Sequence, residues 1–137
     1  ENNPGRGWVM VNSEELTSDA ITKAMLRGDF YSTSGVMLDQ LVRGTNSIEI
    51  SINEDETACE LASEFLFGRP VKKGEPGTTI EFIGPEGEVV KTVQGLSAKC
   101  VAQGAYLRAK VTHRIKKEDG SLREYYAWTQ PVFTDGR

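Results

Sequence analysis

The segment GDFYSTSGV at residues 28–36 places a tyrosine, two serines and a threonine between two glycines. Hydroxyl groups in such a bend can supply a nucleophile, but a nucleophile needs a base within hydrogen-bond reach. His113 is the only histidine in the sequence, it lies far along the chain, and no G-x-S-x-G motif occurs. We therefore interpret Ser32 and Ser34 as structural hydroxyls in a connector between a helix and a β-rich region.

The sequence offers few residues for metal binding or thiol chemistry. The sequence contains no H-x-H, H-E-x-x-H or C-x-x-C motif. Glu54, Asp55 and Glu56 are adjacent acids without the spacing of an EF-hand loop, so we interpret them as a solvated turn. Cys59 and Cys100 can form a disulfide in an exported protein, but we favour separate thiols because neither has a metal or redox spacing. The chain itself is predicted to bind no metal and no cofactor.

Aromatic side chains offer another kind of chemistry, which is stacking against sugars or bases. The candidates are Trp8, Tyr106, Tyr125, Tyr126 and Trp128. On strands, such residues more often fill a core or a domain interface. The two interpretations differ in whether the rings cluster on a solvent-facing sheet or are covered by other elements.

The charge of the chain gives no support for nucleic-acid binding. The net charge is −4, with 16 basic and 20 acidic residues, whereas a nucleic-acid interface is expected to be basic. Residues 108–117 form a local basic cluster, but on a strand its members alternate between two faces. We predict no nucleic-acid partner. No apolar run approaches the ~20 residues that cross a bilayer, so no membrane span is predicted.

The elements that must position these residues begin with one strand and one helix. GWVMV (7–11) is a short apolar strand. A helix is predicted over 18–27, with Thr17 as its capping residue and Gly28 at its end. The chain starts at Glu1 rather than at a methionine, and we expect it to be a piece of a longer protein.

The rest of the chain predicts short antiparallel strands. Ile48, Ile50 and Ile52 alternate with polar residues, as a half-buried strand requires. Leu107, Ala109, Val111, His113 and Ile115 form the row of one later strand that is expected to face a core. Hairpin turns are predicted at 44–46, 85–87 and 116–121.

Two stretches are less regular than these strands. Residues 54–64 fit either a short helix or a loop, and the turn-rich residues 68–77 predict an exposed loop. With about seven short strands, the pattern indicates a mainly β protein. We predict an antiparallel, immunoglobulin-like β-sandwich with one N-terminal strand and α-helix packed on it.

Several blocks of the sequence resemble one known family. NPGRGWVMV, ELTSDAITKAMLRGDFYSTSGV, AYLRAKVT and AWTQPV together are similar to the C-terminal part of proteins with a PHP domain, the polymerase and histidinol phosphatase superfamily of metal-dependent hydrolases. The blocks cover residues 4–36, 105–112 and 127–132. The region between them follows the family pattern loosely.

The resemblance implies a phosphoesterase-like hydrolase as the parent protein. Residues 7–11 and 18–27 would be the last strand and helix of its catalytic α/β barrel. The parent's divalent metal ions would be held by histidines and acidic residues upstream, in motifs that this sequence lacks. The resemblance therefore implies that this piece does not carry the activity.

The resulting hypothesis is a non-catalytic C-terminal accessory domain that stabilises the barrel or shapes access to its active site. Residues 1–35 would be the end of the barrel, and 36–137 the accessory sandwich. Its partners would be the upstream barrel of the same polypeptide and, through self-association, a second copy.

The residues expected near the mouth of the active site or at an interface are Tyr31, Ser32, Ser34, Arg108 and Trp128. No family ligand maps onto the segment 31–34. The alternative hypothesis is a carbohydrate- or protein-binding β-sandwich module, which the predicted fold supports equally well.

Overall fold

The protein folds into two antiparallel β-sheets that form a sandwich, and the prediction of a mainly β fold is confirmed. This computed structural model describes residues 6–63 and 65–136. Within these ranges, eleven strands and two α-helices are present. About seven strands were expected; the additional ones include strands too short to show an alternating pattern.

The elements follow one another in a simple order. The strands are β1 (Trp8–Val11), β2 (Phe30–Thr33), β3 (Leu38–Arg43), β4 (Ser47–Ile52), β5 (Arg69–Val71), β6 (Gly77–Ile83), β7 (Val89–Gln94), β8 (Ser97–Val101), β9 (Tyr106–Lys116), β10 (Leu122–Thr129) and β11 (Val132–Phe133). The helices are α1 (Ser18–Arg27) and α2 (Glu54–Leu61), and a 3-10 turn covers Pro85–Gly87.

The two sheets differ in size. The large sheet has the order β1-β2-β10-β9-β6-β7, with β5 paired to β10 and β11 paired to β9. The small sheet has the order β3-β4-β8. All of these pairings are antiparallel.

The segment before residue 35 contributes two strands to the large sheet. β1 pairs antiparallel with β2, with Trp8 opposite Thr33, and β2 pairs in turn with β10. Among the described residues β1 has this one partner strand, so its outer edge is open. This antiparallel pairing of β1 with β2 differs from the parallel strands of the α/β barrel that the family resemblance implies. The division of the chain at residue 35 stays a prediction.

Helix α1 begins and ends as its sequence predicts. The Thr17 hydroxyl accepts a hydrogen bond from the Ala20 amide at 3.2 Å, which satisfies one of the free N–H groups of the first turn. Gly28 has a φ of +78°, a conformation that favours glycine. Its amide donates to the Met25 carbonyl at 3.0 Å and closes the helix.

The three predicted hairpins are confirmed, and the two irregular stretches are now defined. β3 and β4, β6 and β7, and β9 and β10 pair as neighbours around the predicted turns. Residues 54–61 form α2, whose first turn is capped by Asn53 accepting from the Glu56 amide at 2.9 Å. The stretch 68–77 is largely exposed but includes β5, which pairs with β10.

One apolar core lies between the two sheets. Tyr125 is its largest fully buried side chain, and its hydroxyl donates to the Leu66 carbonyl at 2.8 Å. Gly68 packs against the Tyr125 ring so closely that an added Cβ would lie 2.7 Å from it. The other core residues include Ile48, Ile50, Ile52, Ile80, Phe82, Leu107, Ala109, Val111 and Ala127.

The two cysteines occupy different environments. Cys59 is exposed and Cys100 is buried, and both are free thiols, as expected. Burial raises the pKa of the Cys100 thiol, and the positive charge of Lys91 offsets part of this effect.

Candidate functional site

The candidate site lies on the side of the large sheet that faces away from the small sheet. Successive residues of a strand point to opposite faces, and on β9 the core row Leu107, Ala109 and Val111 is fully buried. The intervening side chains are half-buried. We call this surface the outer face; its central residues are Ser32, Tyr106, Arg108, Lys110, Tyr126 and Trp128.

The register of the strands places these residues in a line across the sheet. Ser32 on β2 is opposite Trp128 on β10, and Trp128 is opposite Lys110 on β9. Lys110 is in turn opposite Glu81 on β6. Side chains directly opposite on one face are close enough to interact, so four strands build one continuous polar and aromatic strip.

Two cations lie against the aromatic rings of this strip. The Arg108 guanidinium carbon lies 5.0 Å from the centroid of the Trp128 ring. Lys110 Nζ lies 5.1 Å from the Trp128 ring and 5.2 Å from the Tyr126 ring. Both are within the range of cation–π attraction. Lys110 Nζ is also 4.0 Å from a Glu81 carboxylate oxygen, so its charge is partly balanced.

Beside Trp128 the outer face forms a groove with a volume of about 450 Å³. Its polar groups come from Ser32, Arg108 and Gln130, and the apolar walls come from Tyr106, Trp128, Pro131 and Phe133. The rings of Tyr106 and Phe133 lie 6.2 Å apart, tilted by 43°. This mixture of apolar walls with a few convergent polar groups is typical of ligand sites.

The hydroxyl groups of residues 31–34 are mostly used by the fold. Thr33 Oγ1 donates to the Val36 carbonyl at 2.7 Å and accepts from the Gly35 amide at 3.0 Å. Ser34 Oγ accepts from the Tyr126 amide at 2.9 Å. These contacts agree with the interpretation of the segment as a connector.

Of the five nominated residues, the structure brings three together. Ser32, Arg108 and Trp128 line the groove. Tyr31 lies on the core side of β2, where its hydroxyl accepts from the Leu38 amide at 3.1 Å. Burial raises the pKa of the Tyr31 hydroxyl, the hydrogen bond from the Leu38 amide opposes this, and the charge of Glu56 raises it further. Ser34 is held by the backbone of β10.

The sequence interpretation missed part of the groove. Gln130, Pro131 and Phe133 follow β10, and their position depends on β11 pairing with the start of β9. β11 contains two residues, Val132 and Phe133, which is too short for an alternating pattern. The sequence does indicate the outward position of Arg108, because Arg108 and Lys110 alternate along β9 with the apolar residues of the core row.

A separate polar cluster occupies the end of the outer face near β5. Glu124 accepts hydrogen bonds from the Arg114 guanidinium, 3.0 Å from Nε, and from the Tyr126 hydroxyl at 2.5 Å. Burial raises the pKa of the Glu124 carboxyl, but these hydrogen bonds and the charges of Arg114 and Arg69 outweigh it and leave the pKa lowered. Burial and the Glu124 hydrogen bond raise the pKa of the Tyr126 hydroxyl.

His113 has a structural environment. It is half-buried on the core-side row of β9, with Nδ1 2.8 Å from the Thr78 hydroxyl. Burial lowers the pKa of the imidazole, and the negative charge of Glu54 opposes this shift. The neutral ring is therefore favoured, in agreement with its interpretation as a partly buried structural histidine.

No metal-ligand cluster occurs in residues 6–63 and 65–136: no three His, Cys, Asp or Glu side chains lie together there. Within the same ranges, no helix is long and apolar enough to cross a membrane.

Comparisons with known proteins give no relatives for this fold or sequence. No family model matches the chain, no curated protein matches its sequence, and no solved structure matches its fold.

Proposed function

We propose that this chain is a non-catalytic accessory domain of a PHP-type metal-dependent hydrolase, and that it acts through its outer face. The observation that supports this is the position of the blocks that resemble the family. The blocks at 4–36, 105–112 and 127–132 include β2, part of β9 and part of β10, and β10 lies between β2 and β9 in the large sheet. Their outward side chains Ser32, Arg108 and Trp128 line a single groove.

The domain would act by packing its outer face against the upstream barrel of the same polypeptide. Such packing would stabilise the barrel or shape access to its active site. Half-buried aromatic and arginine side chains suit this task, since they are the residues enriched at protein interfaces. The divalent metals of the parent would be bound by upstream residues, so this domain would contribute contacts and no ligands.

The first test is the natural gene upstream of Glu1. The proposal expects histidine-rich metal motifs of the PHP type there, and a gene without them would refute the hydrolase parent. The second test uses the full-length enzyme with Arg108→Ala and Trp128→Ala combined. We expect lower thermal stability, or turnover reduced by about tenfold, which corresponds to ~1.4 kcal/mol. Lys99→Ala, at an exposed position of β8, is the control and should have no effect.

A binding module for carbohydrate or protein is the second candidate. It is favoured by the clustering of Tyr106, Tyr126 and Trp128 on one solvent-facing sheet. Stacking of a neutral sugar on Trp128 is disfavoured, because Arg108 and Lys110 already lie against the Trp128 ring. Titration with neutral oligosaccharides, followed by tryptophan emission, separates the candidates: saturable binding that is lost in Trp128→Ala would favour the carbohydrate module.

Self-association is proposed through the open edge of β1. Val9 on this strand is 44% exposed, and an unpaired strand edge can pair with another copy. Light scattering over a concentration series tests this. A Val9→Lys variant should shift the protein towards monomer, because charged residues protect sheet edges.

A further inference from the structure

Arg108 is a cation without an acidic partner. Among the described residues it forms no ion pair, and its Nε atom is buried without a hydrogen-bond acceptor. The Arg108 side chain is half-buried, and its guanidinium carbon lies 5.0 Å from the centroid of the Trp128 ring. An arginine that is packed against a ring and lacks an acceptor is a preorganised donor, because its rotamer is already fixed before any ligand arrives.

The charges around the groove favour a ligand with one negative charge. Arg108 is the one charged residue among the described residues that line the groove, and the neighbouring cation on β9, Lys110, lies 4.0 Å from a Glu81 carboxylate oxygen. The planar guanidinium of arginine matches the two oxygens of a carboxylate. A phosphate carries more charge and usually collects more than one cation, whereas the described part of the groove lining supplies Arg108 alone.

The walls of the groove favour an apolar body on the ligand. Trp128 stands beside the guanidinium, and the Tyr106 and Phe133 rings are within 6.2 Å of each other. The volume of about 450 Å³ lies in the range of small-ligand sites. Ser32 and Gln130 add a hydroxyl and an amide for orientation.

We propose that this groove binds a carboxylate carried on an apolar body, with Arg108 as the anion-binding residue and Trp128 as the apolar contact. The carboxylate can come from a small organic acid or from an acidic side chain of a docked polypeptide. The inference does not depend on the parent being a PHP-type hydrolase, since it uses the charge and shape of the groove alone.

The test uses 3-phenylpropionate and its neutral analogue 3-phenylpropanamide as probes, with amide NMR shifts of the wild-type protein as the readout. We expect the acid to bind at least tenfold more tightly than the amide, with shifts centred on residues 32, 108 and 128. Equal binding of the two probes would overturn the proposal. So would shifts located elsewhere, or inorganic phosphate binding in the groove as tightly as the acid.

Variants assign the interaction to Arg108. Arg108→Gln should weaken binding of the acid at least tenfold, and Arg108→Lys should weaken it less, because the charge remains while the planar fork is lost. Lys116→Gln, an exposed charge change on the same strand, is the matched control. Unchanged affinity in a folded Arg108→Gln variant would overturn the assignment. The wild-type comparison of acid with amide stands even if that variant fails to fold.

A second pair of probes identifies the source of the carboxylate. Acetyl-Phe-Glu-amide and acetyl-Phe-Gln-amide present the same body with and without the charge. Selective binding of the glutamate peptide, with weaker binding of 3-phenylpropionate, supports a polypeptide source. The reverse order supports a small organic acid. Binding of neither acid contradicts the site.

Discussion

The two faces of β9 and β10 make the clearest contrast in the molecule. Tyr125 and Tyr126 are neighbours in the chain, yet Tyr125 is fully buried and Tyr126 is half-buried on the outer face. The core face is apolar and closed by the small sheet. The outer face combines aromatic rings with Arg108 and Lys110 in cation–π contacts.

The contrast shows that the same strands hold the core residues on one face and the residues proposed for binding on the other. Because the side chains alternate, residues that stabilise the sandwich and residues available for binding are interleaved in sequence and separated in space. Changes on the core face should therefore alter stability, while changes on the outer face should alter binding with modest effects on stability.

The largest expected effect is at Tyr125. Tyr125→Ala removes the largest fully buried side chain and should lower the free energy of unfolding by about 3–5 kcal/mol. Tyr126→Ala on the outer face should cost roughly 1 kcal/mol, since its ring is half-exposed. Urea denaturation measures both. Similar losses at the two positions would remove the distinction between the faces.

A smaller effect is expected where β2 meets β10. Ser34→Ala leaves the Tyr126 amide without the acceptor it has at 2.9 Å and should cost about 1–2 kcal/mol. Ser32→Ala is the matched change in the groove and should lie within about 0.5 kcal/mol of wild type. In the full-length parent proposed above, neither change should lower turnover by more than about tenfold. A loss of several orders of magnitude with folding intact would place the segment in the chemistry.

Acidification should destabilise the core face through His113. Burial lowers the pKa of His113 in the folded state below the ordinary 6.5, so the unfolded state takes up a proton first as the pH falls. Stability should be unaffected above about pH 7 and should decrease below pH 6.5, by at most ~1.4 kcal/mol per pH unit. Thermal midpoints at pH 7.5 and 5.5 test this. His113→Gln should remove this part of the pH dependence.

The smallest effect concerns the pair of Lys110 and Glu81 on the outer face. The two charged groups are 4.0 Å apart and partly exposed. Glu81→Gln should therefore change stability by less than about 1 kcal/mol, and the change should shrink in high salt. A larger, salt-insensitive loss would show that the outer face contributes to the fold as the core face does.

Much of the fold could be predicted from the sequence because its signals are local. The alternation of Ile48, Ile50 and Ile52 and the turn residues around Gly120 depend on near neighbours alone. Short strands such as β5 and β11 carry no such signal, since three residues or fewer cannot show a period. They form because β9 and β10 offer edges to pair with.

The candidate site was less predictable than the fold. Arg108 and Trp128 could be nominated from the family resemblance, but their contact depends on the register between β9 and β10. The resemblance nominates Tyr31, Ser32 and Ser34 together, because FYSTSG would follow the last helix of the barrel near the mouth of its active site. The structure separates them, since the face of a side chain is set by strand parity and by backbone contacts.

The hydrogen bond between Ser34 and the Tyr126 amide also has a consequence for how the protein folds. The two residues are 92 positions apart in the sequence. Ser34 directly follows β2 and Tyr126 lies on β10, and both of these strands contribute residues to the groove. Closing so long a loop is slow compared with forming local hairpins such as β9–β10. During synthesis the groove therefore cannot exist until β10 has emerged and met β2.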